Sequence, residues 1–376
     1  MKIMLSAGET SGDLHGAAIA RELKTLDEDI ALVGFGGDNM EKAGVSLWAN
    51  YKSYNVMGVL EVILNLRRIL KLLDYLTEKI KEEKPDLLVL IDYPDFNWRL
   101  AKRAKELGIK VFSYIPPSAW AWRKGRAMDC AKIADEFVAI FPHELPPYLE
   151  AGAKISFLGN PLVDAVKPTM TKDDARQRFG AKDSDRIVLL LPGSREQEIR
   201  RIFPAMLGAA VLLKKHQPRT KFYLPIAESI DESLLKEYIS VSGAEVTLTK
   251  ENRYDLFQIA EFAIATSGTV VMEAALLGLP SVVLYKMSGF NFFIAKLFVH
   301  IDYFSLPNLV LQKKALTELL QDDVSPKKIF EEAKKLYVGE NEREDVAKDL
   351  AKIRDILGEE GATKRIAEKI LEVCKK

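Results

Sequence analysis

"IVLLLPGSREQEI", Ile187 to Ile199, decides how the rest of the chain reads. Its unbroken apolar run predicts a strand buried on both faces, the mark of a parallel sheet covered by helices. The strand stops at Pro192-Gly193, and Ser194, Arg195 and a new helix follow. Such a turn leaves backbone N–H groups free and sets the positive end of a helix beside them. Arg195 adds a planar fork matched to phosphate oxygens. These residues together predict an anion site, and a diphosphate fits it.

Working outward, strand and helix signals alternate in both directions. Before this stretch come "KIMLSAGE", "ALVGFGG", "DLLVLIDYP", "KVFSYIPP" and "EFVAIFP"; after it come "KFYLPIA", "EVTLT", "EFAIATSG" and "PSVVLY". Helical stretches separate most of them. The pattern predicts two doubly wound, Rossmann-like α/β domains facing a cleft. A proline and a polar run after "SFLGNPLVDAVKP" place the boundary there. The expected domains are 1–165, 166–340 and a helical tail, 341–376, packing back on the first domain or on a partner subunit. Ligands in such sheets bind beyond the carboxyl ends of the strands, so the residues just after each strand are the ones to inspect.

Bulk properties remove several classes. Lys+Arg and Asp+Glu both number 54, so there is no net charge and no basic stripe for nucleic acid. Two cysteines, Cys130 and Cys374, exclude a disulfide framework or a four-cysteine zinc site. The four histidines lie at no metal-ligand spacing, so neither a metal nor a cofactor is expected. No secretory signal can be drawn at Met1-Lys2, and no apolar run reaches the roughly 18 residues of a spanning helix. The expectation is a cytoplasmic protein whose membrane contact, if any, is peripheral.

Several strand ends carry candidate chemistry. "AGETSGDLHGA" reads either as a tight turn with a good N-cap or as a loop whose backbone lies against a ligand. "GFGG", Gly34 to Gly37, reads better as structure. Asp92 ends a buried strand, where a carboxylate is costly without a purpose or a partner. Partial burial would raise its pKa and suit it to accept a proton. The alternative is a cap or a salt bridge to Arg99 or Arg103, and Asp95 suits a cap. Trp120 and Trp122 stand beside Arg123, Lys124 and Arg126, either as core plugs or packed on a sugar or acyl face above a phosphate. The turn-into-helix geometry recurs at Ser267-Gly268-Thr269, with Glu273 on the following helix where a ribose diol could be gripped.

Six stretches, "AGETSGDLHG", "IDYPDFN", "PSAWAWRKGR", "LLPGSREQEI", "SGTVVMEAAL" and "SLPN", together resemble the lipid-A-disaccharide synthase family, in the family's order from residue 7 to residue 308. The resemblance implies a GT-B glycosyltransferase of two Rossmann-like domains. It implies inverting transfer of 2,3-diacylglucosamine from its UDP donor to 2,3-diacylglucosamine 1-phosphate, giving lipid A disaccharide 1-phosphate and UDP. By the same analogy Asp92 is the general base, Arg195 contacts UDP, and Glu9, Ser11 and Asn308 fall on positions that matter for activity. Gly193, Ser194, Ser267, Gly268, Thr269, Glu273 and Asn308 complete the donor-side set. Asp95, Asn97, Trp120, Trp122 and Arg123 are the acceptor-side candidates. One position departs: Asn160 stands where the family usually has a histidine, so no proton transfer is assigned there.

Both implied substrates carry acyl chains. "VLEVILNLRRILKLLDYL", Val59 to Leu76, has a matching apolar stripe, with Leu60, Ile63, Leu66, Ile69, Leu70 and Leu73 beside Arg67, Arg68 and Lys71. By itself the stretch reads as an ordinary core helix. The substrate class and the family's apolar patch turn it into a contact with the inner-membrane surface, with Val62 on the same face. A homodimer is compatible with this reading. The rivals are another UDP-sugar enzyme of the same fold, epimerase-like, and a two-lobed binding protein without catalysis.

Overall fold

A computed structural model describes residues 1–54, 59–119, 125–289, 292 and 302–376; the side chains of 59–66 lie outside the description. The chain forms two compact units, Met1–Pro161 with Leu357–Lys376, and Leu162–Ile356. The last helix therefore belongs to the first unit.

The first unit holds a parallel sheet of β1 (Lys2–Ala7), β2 (Ala31–Gly36), β3 (Ser46–Asn50), β4 (Leu87–Ile91), β5 (Lys110–Tyr114), β6 (Glu136–Ala139) and β7 (Ile155–Phe157). Their order is β3-β2-β1-β4-β5-β6-β7. The second unit holds β8 (Arg186–Leu191), β9 (Thr220–Pro225), β10 (Val246–Thr249), β11 (Phe262–Thr266), β12 (Ser281–Tyr285) and β13 (Thr317–Leu320). Their order is β10-β9-β8-β11-β12-β13, again all parallel. In each sheet the winding reverses beside the first strand, between β1 and β4 and between β8 and β11. Helices leaving those two strands diverge to opposite faces and open a crevice at the carboxyl ends.

Burial on both faces explains the continuous apolar strands. In β1, Ile3 and Leu5 pack with Ile366 and Ile370 of the helix Ala362–Lys375. Met4, between them, packs on the other face with Leu76 and Leu100. β3, β7 and β13, which the apolar pattern does not predict, are edge strands with mostly half-buried residues. They become strands because a neighbour offers unpaired backbone groups.

The helix Val59–Glu83 corrects the single-stripe reading. Leu72, Leu73, Leu76 and Ile80 are core residues and Ile69 packs against them, whereas Leu70 is 37% exposed. Leu73 is thus spent on the fold. The membrane candidates Leu60, Val62, Ile63 and Leu66 fall outside the described side chains.

Candidate active site

Glu9 follows β1 and Asp92 follows β4, so both carboxylates sit at the reversal point of the first sheet. Asp92 and Tyr93 have φ of 48° and 50°, two consecutive non-glycine residues in left-handed conformation. Such backbone costs on the order of 1–3 kcal/mol per residue and persists only where the surroundings over-determine it. Asn97 does so: its Nδ2 donates to the carbonyls of Asp92 at 2.7 Å and Ser6 at 3.1 Å. Its Oδ1 accepts from the Ser6 hydroxyl at 2.7 Å. Gly8 completes the fit, because a Cβ there would lie 2.0 Å from the Tyr93 ring.

The backbone strain aims Asp92 at Glu9. Burial, the charge of Glu9 and a hydrogen bond with Glu9 push the Asp92 carboxyl up to about 6. Burial and a neighbouring acid both make the ionised form of Asp92 costly. The Ser11 hydroxyl donates to Glu9 Oε1 at 3.2 Å, so Ser11 steadies Glu9. His15, nearby on the same helix, is held neutral by burial at about 4, its Nδ1 3.3 Å from the Tyr114 hydroxyl.

An acid of the first unit escapes the sequence analysis. Glu144, beyond β6, is buried, and its Oε2 accepts the N–H groups of Ile140 at 3.2 Å and Phe141 at 3.1 Å. Burial, with a smaller push from the Asp92 charge, raises its carboxyl to about 7 against the pull of those two N–H groups. Its position after an apolar strand, in "EFVAIFPHE", was the available signal.

In the second unit, Gly193 and Ser194 follow β8, and Ser267, Gly268 and Thr269 follow β11. Gly193 has φ 109°, and a Cβ there would meet Glu198 Oε2 at 2.5 Å, so only glycine fits. The helices Glu196–His216 and Thr269–Leu276 start here without any side-chain cap. By contrast Thr171, Asp231, Asn252 and Ser325 cap the helices they precede. Helix starts left open side by side at a reversal point are what an anion needs. Arg195 is 75% exposed and paired with Glu198 at 3.2 Å, free to turn toward such an anion.

Three sequence candidates prove to be fully or largely engaged with the protein itself. Asn97 is fully buried and clasps the Asp92 turn, so it positions that turn and cannot reach an acceptor. Asn308 is also fully buried. Its Nδ2 donates to Leu316 O at 2.9 Å and Glu318 Oε1 at 2.8 Å, and its Oδ1 accepts from Ala315 N at 2.9 Å and Leu316 N at 2.8 Å. With every hydrogen-bonding group of its amide used, it holds the segment from Ala315 to Glu318 in shape. Glu318, which the sequence does not single out, accepts from Ser305 and Phe304 as well, and the Phe304 carbonyl receives the Ser267 hydroxyl at 3.3 Å. Glu273 is buried and held by Arg253. Asp95 is exposed and pairs with Arg126 at 3.1 Å. Trp120, Trp122 and Arg123 lie outside the described residues.

Two all-parallel α/β units of this topology are the GT-B fold. The structure superposes on a UDP-GlcNAc 2-epimerase of Neisseria meningitidis bound to UDP-GlcNAc, TM-score 0.70 at 15% identity, covering 99% of this chain and all of that one. It also superposes on MurG of Acinetobacter baumannii, TM-score 0.61 at 16% identity, covering 99% of both chains. Residues 3–372 match the family model described as lipid-A-disaccharide synthetase. Lipid-A-disaccharide synthases of Geobacter sulfurreducens and Syntrophus aciditrophicus are 38% and 39% identical over 375 residues, covering all of this chain and 98% of each relative. The chain belongs to the lipid-A-disaccharide synthase family and is a glycosyltransferase.

Proposed function

We propose that this enzyme transfers 2,3-diacylglucosamine from its UDP donor to the 6-hydroxyl of 2,3-diacylglucosamine 1-phosphate, with inversion. The observation that carries the reading is the Glu9–Asp92 pair at the first reversal point, with Asp92 raised to about 6. A base of that strength is ionised at neutral pH and still basic enough to accept a proton as an alcohol attacks. The acceptor oxygen forms a bond to the donor's anomeric carbon and gives its proton to Asp92. The bond from that carbon to the diphosphate breaks, and UDP leaves with the electron pair. Arg195 and the uncapped helix starts at Ser194 and Ser267–Thr269 take up the growing charge on the diphosphate.

Burial and Glu9 set the proton affinity of Asp92, Ser11 steadies Glu9, and Asn97 holds the Asp92 loop. Glu273 takes the ribose, and Asn308 with Glu318 keeps the Ser267 side in shape. Among the described residues no helix is long and apolar enough to cross a membrane. The acyl chains are met instead at the inner-membrane surface, by the exposed face of the helix Val59–Glu83. Leu70 and the cations Arg67, Arg68 and Lys71 on that face match lipid chains and anionic headgroups.

The test is turnover of the diacylated donor and acceptor in detergent, with Asp92→Asn beside the wild type. The variant should lose about 100-fold or more of kcat and keep its affinity for UDP. An Asp92→Asn enzyme with most of its activity would remove the base assignment. Conversion of UDP-N-acetylglucosamine alone would instead favour the epimerase-like rival, over which the family match across residues 3–372 favours transfer.

A further inference from the structure

Glu273 lies on the helix Thr269–Leu276, whose open start is one of the two proposed diphosphate turns. It is a buried acid that one guanidinium holds by a single hydrogen bond and a second, ion-pair contact. Arg253 Nε is 2.7 Å from Oε2, and Arg253 Nη2 donates to Oε1 at 2.9 Å. Arg253 itself is 42% exposed, and its guanidinium lies 5.2 Å from the centre of the Tyr254 ring. Asn252 fixes this corner, its Oδ1 accepting from the Tyr254 N–H at 3.0 Å.

A buried carboxyl with no partner sheds its charge by taking a proton. That is the direction in which burial drives Glu273, and Arg253 pulls it back. The charged form matters, because a carboxylate accepts a hydroxyl proton in a short, strong bond while a protonated carboxyl offers one acceptor fewer. Each carboxylate oxygen has two lone-pair directions, so accepting from Arg253 leaves room for a second donor. Among the described residues, the ionisable groups acting on Glu273 are Arg253 and the Tyr254 phenol. Burial raises the phenol above its ordinary value of 10, so neither titrates near neutrality.

We propose that Arg253 is a positioning residue for nucleotide recognition: it keeps Glu273 a charged, fixed acceptor for the ribose hydroxyls, so that the second unit selects ribonucleoside over deoxyribonucleoside diphosphates. The inference rests on the UDP reading of this site. Removing the guanidinium leaves a buried carboxyl that protonates as pH falls, and sugar selection then becomes pH-dependent.

The experiment is calorimetric titration of the full chain with UDP and with 2′-deoxy-UDP, at about pH 6 and about pH 8.5. The wild type should prefer UDP by roughly tenfold at both values, the worth of one charge-assisted hydrogen bond. Arg253→Met should lose that preference at the lower pH and recover it at the higher. Should Arg253→Met fail to fold, Arg253→Gln, neutral but still hydrogen-bonding, should show the same pH-dependent loss. A variant with the wild-type preference at both pH values overturns the inference and leaves the UDP reading standing. Wild-type protein that does not bind UDP at all overturns both.

Discussion

Replacing Asp92 with Asn should stabilise the protein while stopping the reaction, and the gain should depend on pH. In the folded chain Asp92 titrates at about 6, against 3.8 in a free peptide. A difference of about 2 units corresponds to about 3 kcal/mol between the two protonation states, an upper bound because the group is partly solvated. The folded-state value is raised, so the protonated form is the one the fold favours. The contribution is fully present below the unfolded value and is lost as pH climbs through 6. Above that, the ionised Asp92 beside Glu9 costs the fold up to the full amount. Asparagine has no charge to confine, it tolerates the left-handed φ of 48°, and Asn97 still binds the backbone carbonyl there. All four tryptophans, including Trp48 and Trp98, lie in the first unit, so their fluorescence reports its unfolding. Urea titrations should show Asp92→Asn more stable by about 1–3 kcal/mol at about pH 8 and nearly equal to wild type at about pH 4. A gain that is the same at both pH values, or a loss at the higher one, would refute the raised Asp92 carboxyl.

Other consequences follow from the same geometry. Asn308→Ala strips partners from buried Leu316 and from half-buried Ala315 and Glu318, so it should lower the urea midpoint of the second unit, costing about 1–3 kcal/mol; weaker UDP binding at unchanged stability would instead make Asn308 a ligand contact. Ile370→Ala empties a fully buried position between the last helix and β1 and should cost the first unit about 2–5 kcal/mol by tryptophan fluorescence. Leu70→Ser should reduce co-sedimentation with anionic phospholipid vesicles at nearly unchanged stability, whereas Leu73→Ser should destabilise the core; vesicle binding untouched by Leu70→Ser would place the membrane contact elsewhere.

Much of the candidate site was readable because its residues sit at strand ends. The apolar runs are long enough to be recognised unaided, and each stops at a turn whose residues are visible: Glu9, Asp92, Gly193, Ser267. Glu144 stands further beyond its strand than these, and Glu318 lies inside an edge strand. Glu144 matters through its burial beneath the β6 turn, and Glu318 through loop residues ten to fourteen positions away. Asn97 and Asn308 stand inside recognisable motifs, yet a motif does not tell a side chain that touches a ligand from one that holds the loop beside it. Accessibility separates the two, and accessibility is a property of packing.

By itself, the sequence determined the alternation of buried strands and helices, the two-domain plan and the glycine-rich and acidic turns at the strand ends, because periodicity and turn chemistry act over a few residues. Only the tertiary structure decided the winding order that brings Glu9 to Asp92 and the return of Ala362–Lys375 to the first sheet. It also divided the helix Val59–Glu83 into a core face from Leu72 onward and an exposed Leu70. Those outcomes depend on which distant surfaces bury one another, and proton affinity follows from that burial.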